Sequence, residues 1–315
     1  MKKLFVPITI LAVALGTTFN SCNKEEDESK NIVELAQSNA DLSSLVAAVE
    51  RAGLVEALSD ESTPLTVFAP TNAAFNEFLG GTALDDVPVE TLRNLVLNHV
   101  LTRKVMSNQV ATGYANTLAT VTFDGNESNV DMFINTGAAN GVVINGAATV
   151  QIVDQEASNG VVHVVDKVIG IPKLTAFADA NPDFSILVDA LTDSRLTTNY
   201  VDFLNAEGPF TVFAPNNAAF AALLTELNAS SLADIDAATL EAVLKYHVVT
   251  IGNEIAGDLT EGQSVPTAQD VSFTISLMGG AKITDGAGRE TNIVATDIQG
   301  GNGVVHAVDR VLLPS

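Results

Sequence analysis

The segment "TVFAPTNAAF" (Thr66–Phe75) returns as "TVFAPNNAAF" from Thr211, with one change in ten. Two further segments return in the same order. "LRNLVLNHVL" (Leu92–Leu101) answers to "LEAVLKYHVV" (Leu240–Val249), and "NGVVHVVDKVI" (Asn159–Ile169) to "NGVVHAVDRVL" (Asn302–Leu312). The offsets are 145, 148 and 143 residues. Three landmarks in fixed order at so long a spacing mean a duplicated domain, not a short-period solenoid. A chain of 315 residues has room for two such units. The boundaries fall at 30–171 and 172–315, with Pro172 at the join. Almost no linker separates Ile169 from the helical-looking "LTAFADA", so a stiff tandem is expected.

Both repeats parse alike. In the first, Leu42, Leu45, Val46 and Val49 fall at i, i+3, i+4 and i+7, which predicts a helix from about Asp41 with that residue as N-cap. "LTVFA" reads as a short buried strand. Pro70 breaks it, because proline has no ladder donor and restricts the residue before it. Thr71 or Asn72 then caps a short helix whose Phe75, Phe78 and Leu79 are expected to face inward. A helix carrying Leu92, Leu95, Val96 and His99 follows. Several strand-like stretches come after it, such as "GVVING" and "ATVQIVD", divided by Gly and Asn turns. Helices first and strands later point to an α+β fold, not a wound parallel sheet.

The N-terminus reads as a targeting segment. "MKK" is a short positive region, and "LFVPITILAVALG" is apolar but too short for a comfortable membrane span. Residues 1–21 are therefore expected to be a lipoprotein signal peptide, with cleavage behind Ser21 and lipidation of Cys22. Cys22 is the only cysteine, so no internal disulfide is possible. Residues 22–29 form an acidic tether, "CNKEEDES". Its Lys24, Glu25 and Glu26 resemble the Lys-then-acidic export signal of surface lipoproteins in some Gram-negative bacteria. Membrane attachment through Cys22 and display on the outer surface of the outer membrane are the resulting expectations.

Beyond that signal the chain keeps 13 basic and 38 acidic residues, a net −25. Such a surface repels phosphate backbones and excludes nucleic acid as a partner. Hydrophobic residues make up 47% of the chain and charged ones 17%, enough apolar material for packed cores.

All four histidines lie in the repeats, as His99 with His247 and His163 with His306. That makes them the natural suspects for a general base or a metal. His99 and His247, however, sit on the apolar stripes of their helices. A histidine there is expected to be a core group that gives one ring proton to an acceptor. His163 and His306 lie mid-strand in valine-rich runs, and Asp166 and Asp309 follow three residues later. Three residues along a strand place His and Asp on opposite faces, a poor dyad. All of these are read as structural. G-x-S-x-G, H-E-x-x-H and Walker sequences are missing from the chain. "DGNESNVD" (Asp124–Asp131) has Asp124, Asn126 and Ser128 at alternate positions. It lacks a calcium loop's glycine placement and closing glutamate, so no metal is expected. No cofactor and no catalytic residue is assigned.

The three repeated segments resemble the signature segments of the fasciclin (FAS1) domain. The resemblance covers both repeats, essentially residues 30–315. It implies two tandem domains, each a twisted β-sandwich or wedge with packed helices. It further implies a secreted or membrane-anchored adhesion protein that is not an enzyme and binds cells, matrix proteins or polysaccharide. Some members attach to cells through a Tyr-His helix end and an Asp-Ile pair before the last strand. Tyr246, His247, Asp297 and Ile298 match these, so they are the candidate binding residues, expected at an exposed surface. In the first repeat Asn98 and Gln155 stand where Tyr and Ile would be. A second reading, from another class, is a glycan- or small-molecule-binding lipoprotein serving uptake or envelope maintenance. It would need one concave apolar pocket.

Overall fold

A computed structural model describes residues 29–314. Cys22, Lys24, Glu25 and Glu26 lie outside the described residues.

The first domain has seven strands: β1 (Leu65–Pro70), β2 (Val100–Leu101), β3 (Gly113–Phe123), β4 (Asn126–Ala138), β5 (Gly141–Ile144), β6 (Ala148–Ala157) and β7 (Gly160–Val165). Their order is β2-β1-β7-β6-β5-β4-β3. The second domain has β8 (Phe210–Pro215), β9 (Val248–Val249), β10 (Ser264–Pro266), β11 (Ser272–Ser276), β12 (Lys282–Thr284), β13 (Glu290–Gly300) and β14 (Gly303–Val308). Their order, β10-β11-β12-β13-β14-β8-β9, is the same arrangement read from the other edge. Only the first and last strands of each domain pair in parallel. The register repeats to the residue: Phe68 lies opposite His163, and Phe213 opposite His306. The α+β expectation holds, and each sheet is curled with helices packed upon it.

Strand alternation separates two cores. Leu65, Val67 and Ala69 of β1 point to the helices, where they meet Ile32, Leu45, Val49 and Leu92. Phe68 points the other way, into a smaller cluster with Leu101, Met132, Ile134 and Ile144. In the second domain Phe210, Val212 and Ala214 take the helix side. Phe213 takes the inner side, with Tyr246, Leu259 and Phe273.

Local details correct two expectations. The first long helix is Ser43–Arg51, preceded by a 3-10 turn at Ala40–Leu42. Asn39 caps that turn through the Asp41 amide, so Asp41 is not the cap. Thr71 does cap the helix Asn72–Leu79, accepting from the Ala74 amide. Asn72 instead ties that helix to the earlier one, accepting from the Ser44 amide at 2.8 Å. Phe75 is buried, but Phe78 is 47% exposed. The helix ends at Gly80 in the left-handed conformation, one turn beyond the buried Phe75.

The domains are docked. Phe133 of β4 is 1% exposed and belongs to the second domain's helix-side core, beside Leu174 and Phe177. The Tyr114 ring meets Phe177 edge-on at 5.7 Å. Its hydroxyl accepts from Asn181 Nδ2 at 3.1 Å. Asp131 Oδ2 accepts from the Gln299 amide at 2.8 Å, across the junction. The stiff tandem thus has an apolar contact with two hydrogen bonds beside it.

Candidate functional site

The repeated histidines are engaged at both ring nitrogens. His99 Nδ1–H donates to the Leu95 carbonyl at 2.8 Å, and Nε2 accepts from the Ile169 amide at 2.8 Å. His247 repeats this with the Val243 carbonyl at 2.7 Å and the Leu312 amide at 2.9 Å. Each ring therefore staples a helix end to the chain that follows the last strand. These partners fix the neutral Nδ1–H tautomer. Burial holds both imidazoles well below their ordinary range, at about 4.

The strand histidines use the opposite tautomer. His163 Nε2–H donates to the Val105 carbonyl at 2.9 Å, and Nδ1 accepts from the Asp154 amide at 3.2 Å. His306 repeats this with the Glu254 carbonyl at 2.8 Å and the Asp297 amide at 3.3 Å. Asp154 and Asp297 each occupy a β-bulge with positive φ, 57° and 60°. Asp is one of the few side chains that tolerate this region. The bulge turns the amide toward the imidazole, and the carboxylate folds back on an adjoining loop. Asp297 Oδ1 accepts from the Ala256 amide at 2.6 Å, and Asp154 Oδ1 from the Ser107 amide at 2.7 Å. The bonds from Ser107 hold the Asp154 carboxyl below the usual carboxylate range. Asp166 and Asp309 are separate from these rings. Their carboxylates accept from the Thr149 and Asn292 amides at 2.7 and 2.8 Å.

The exposed surface expected of the four candidate binding residues is corrected for three of them, and Asp297 is half-buried. Tyr246 is 0%, His247 3% and Ile298 3% exposed. The Tyr246 hydroxyl donates to the Ser272 carbonyl and accepts from the Gly286 amide, at 3.1 and 2.9 Å. Ile298 packs in the second domain's helix-side core. Asp297 is spent on the Ala256 amide. Where Tyr246 stands in one domain, Asn98 stands in the other, its amide donating to the Ile169 and Gly170 carbonyls at 3.0 Å.

Sequence reading passed over the asparagines that open the last repeated segment. Asn159 accepts from the Ile32 amide and donates to the Leu58 carbonyl. Asn302 does the same with Leu174 and Leu204. Each sews the first helix of its domain to the sheet. Their recurrence before Gly160 and Gly303 was the available signal.

Asp131 was also missed. It does not recur, and its partner lies 168 residues away. It is 4% exposed, and burial pushes its carboxyl up to about 6. Asn116 Nδ2 donates its second hydrogen bond, to Oδ1 at 2.8 Å.

Two expected outcomes follow. His163→Ala strands the Asp154 amide and the Val105 carbonyl, and should cost about 1–3 kcal/mol in urea unfolding. The buried histidines set the acid response. Native His99 and His247 stay neutral down to about pH 4, while the unfolded chain binds protons from about 6.5. Stability should therefore fall as pH drops through that window, by about 1.4 kcal/mol per pH unit for each ring. His306, lowered by burial, adds to the fall. Asp131 opposes it, since native Asp131 binds its proton near pH 6, before the unfolded carboxyl does. Urea midpoints at pH 7.5 and 5 should show a net loss, and His99→Gln should shrink it.

Among the described residues, no helix is long and apolar enough to cross a membrane, and no cluster of three metal-ligating side chains occurs. A fasciclin domain model matches residues 40–172 and again 182–314. Human periostin is 29% identical over 255 residues, 79% of this chain, which spans 28% of periostin's length. Protein sll1483 of Synechocystis is 40% identical over 148 residues, 45% of this chain and 74% of that protein. Among solved structures, the domain pair of the insect cell adhesion molecule fasciclin I aligns with a TM-score of 0.55 at 20% identity. That alignment covers 88% of this chain and 98% of the other.

Proposed function

Because the chain belongs to the fasciclin domain family, we propose that it is a non-enzymatic, lipid-anchored surface protein that adheres to cells, matrix or polysaccharide. The observation carrying this is the docked pair. Phe133, Tyr114 and Asp131 fix one domain against the other. Two binding faces held at a set angle suit a multivalent ligand, for which avidity arises without any new contact. The name of the fasciclin I structure, a cell adhesion molecule, supports the same reading. The histidines that could have served as bases are consumed by backbone hydrogen bonds, so the surface is left to act.

Cys22 supplies the anchor in this reading, and Lys24, Glu25 and Glu26 the export signal. Cys22→Ser should abolish incorporation of labelled palmitate and release the protein from membranes; continued labelling would remove the anchor from the account. Adhesion is tested by a glycan and matrix-protein array with the 30–315 fragment. Binding to an extended polymer, retained when Tyr246 is changed to Phe, is expected. An array blank for polymers but positive for a small solute would favour uptake.

A further inference from the structure

The inner cores of the two domains are built from matched positions but filled by different side chains. In the second domain, Phe213 rests edge-on against Phe273 at 5.0 Å, and Tyr246 meets Phe273 at 6.0 Å. Leu259 and Val265 are buried in the same cluster. In the first domain, Phe68 stands where Phe213 does, Asn98 where Tyr246 does, and the buried Met132 where Phe273 does. The only ring near Phe68 among the described residues is that of His163, at 5.7 Å. Beside Phe68 lies an open hollow of about 380 Å³, lined by Phe68, Leu101, Ala115 and Ile134 together with Gln109 and Thr112. That volume falls within the range of small-molecule pockets.

A cation stands at the cavity wall. Arg103 has no carboxylate within ion-pair distance and no hydrogen bond from its guanidinium among the described residues. Of the other arginines, Arg51, Arg195, Arg289 and Arg310 are ion-paired, and Arg93 donates to the Ala52 carbonyl. The neighbouring Lys104 is paired with Glu156 at 2.6 Å. The position matching Arg103 in the second domain is Ile251, so the charge belongs to the domain that has the cavity. In a chain of net charge −23, a free guanidinium beside this hollow is a local reversal of sign.

We propose that this cavity binds a small organic acid, with its carboxylate on Arg103 and its apolar body over Phe68. A guanidinium grips a carboxylate through two parallel hydrogen bonds, which fixes the acid's orientation. The apolar body packs on the Phe68, Leu101 and Ile134 side of the hollow, while its polar lining, Gln109 and Thr112 among it, stays hydrated. Tyr114 also lines the cavity, and its hydroxyl is held by Asn181 of the second domain. An occupant would therefore lie against the domain junction.

The test is titration calorimetry of the 30–315 fragment with octanoate and with octanamide, its uncharged analogue. Octanoate is expected to bind in the millimolar range or tighter, and octanamide at least about tenfold more weakly. Arg103→Gln, a change at an exposed position, should erase that difference. Ala115→Phe, which puts a ring into the hollow from its wall, should abolish binding of both. Circular dichroism checks its fold; if it fails to fold, Arg103→Gln alone decides. Equal affinity for the two probes, unchanged octanoate binding in Arg103→Gln, or no heat at millimolar octanoate would each overturn the proposal.

Discussion

Gly160→Ala is expected to unfold the first domain. A Cβ at Gly160 would lie 2.1 Å from the Leu65 carbonyl oxygen, with Ile32 Cδ1 at 2.9 Å. The first of these is backbone and cannot turn aside. β1 and β7 pair in parallel from this residue onward, and Asn159 beside it holds the first helix. Opening the pair here would cost the strand register and the helix together. The expected loss exceeds about 4 kcal/mol, the range reserved for such failures. Gly303→Ala should act alike on the second domain, where the Phe210 carbonyl oxygen lies 2.0 Å from the new carbon. Gly170→Ala is the control. Nothing lies within 4 Å of its Cβ position, and that variant should melt near the parent. Calorimetry of the three reads this directly.

Phe133→Ala should separate the domains. The ring is a first-domain side chain buried in a second-domain core, 4.9 Å from Tyr114. Removing it leaves a cavity between Leu174 and Phe177 at a cost of about 3–5 kcal/mol. The loss falls on the docking as much as on either domain. The parent should melt in one cooperative transition, because neither domain can unfold without exposing part of the other's core. Phe133→Ala should show two. If the parent already melts in two, the docking carries little energy, and the fixed geometry invoked for adhesion goes with it.

The sequence made some of this legible and hid the rest for physical reasons. Duplication was plain from "TVFAP" and "NGVVH", and the matched registers of Phe68 with His163 and Phe213 with His306 agree with it. The structural reading of His99 followed from helical periodicity; the ring is buried, but the helix is Val89–Leu97 and His99 lies just past its C-cap Asn98. Ile298 was misplaced because the resemblance of an Asp-Ile pair carries no phase: after the bulge at Asp297 the strand turns Ile298 into the helix-side core. Tyr246 was misplaced because a likeness in two letters says nothing of which way a ring points. Here it fills a place that the other domain gives to Asn98. Asp131 and Phe133 could not be read as junction residues. Their partners, Gln299 and Phe177, lie far along the chain, and nothing in either repeat marks a surface that will be covered.

In this account the polar groups of the repeated signatures are occupied in holding the fold and are not a binding surface. Hydrogen exchange at the Asp154 and Asp297 amides tests that claim most directly. Each amide donates to a buried imidazole at the bulge. At neutral pH both should be protected to the level of the β7 and β14 amides. Exchange as fast as in an open loop would contradict the account, and would return the Asp297–Ile298 pair to the surface as a binding site.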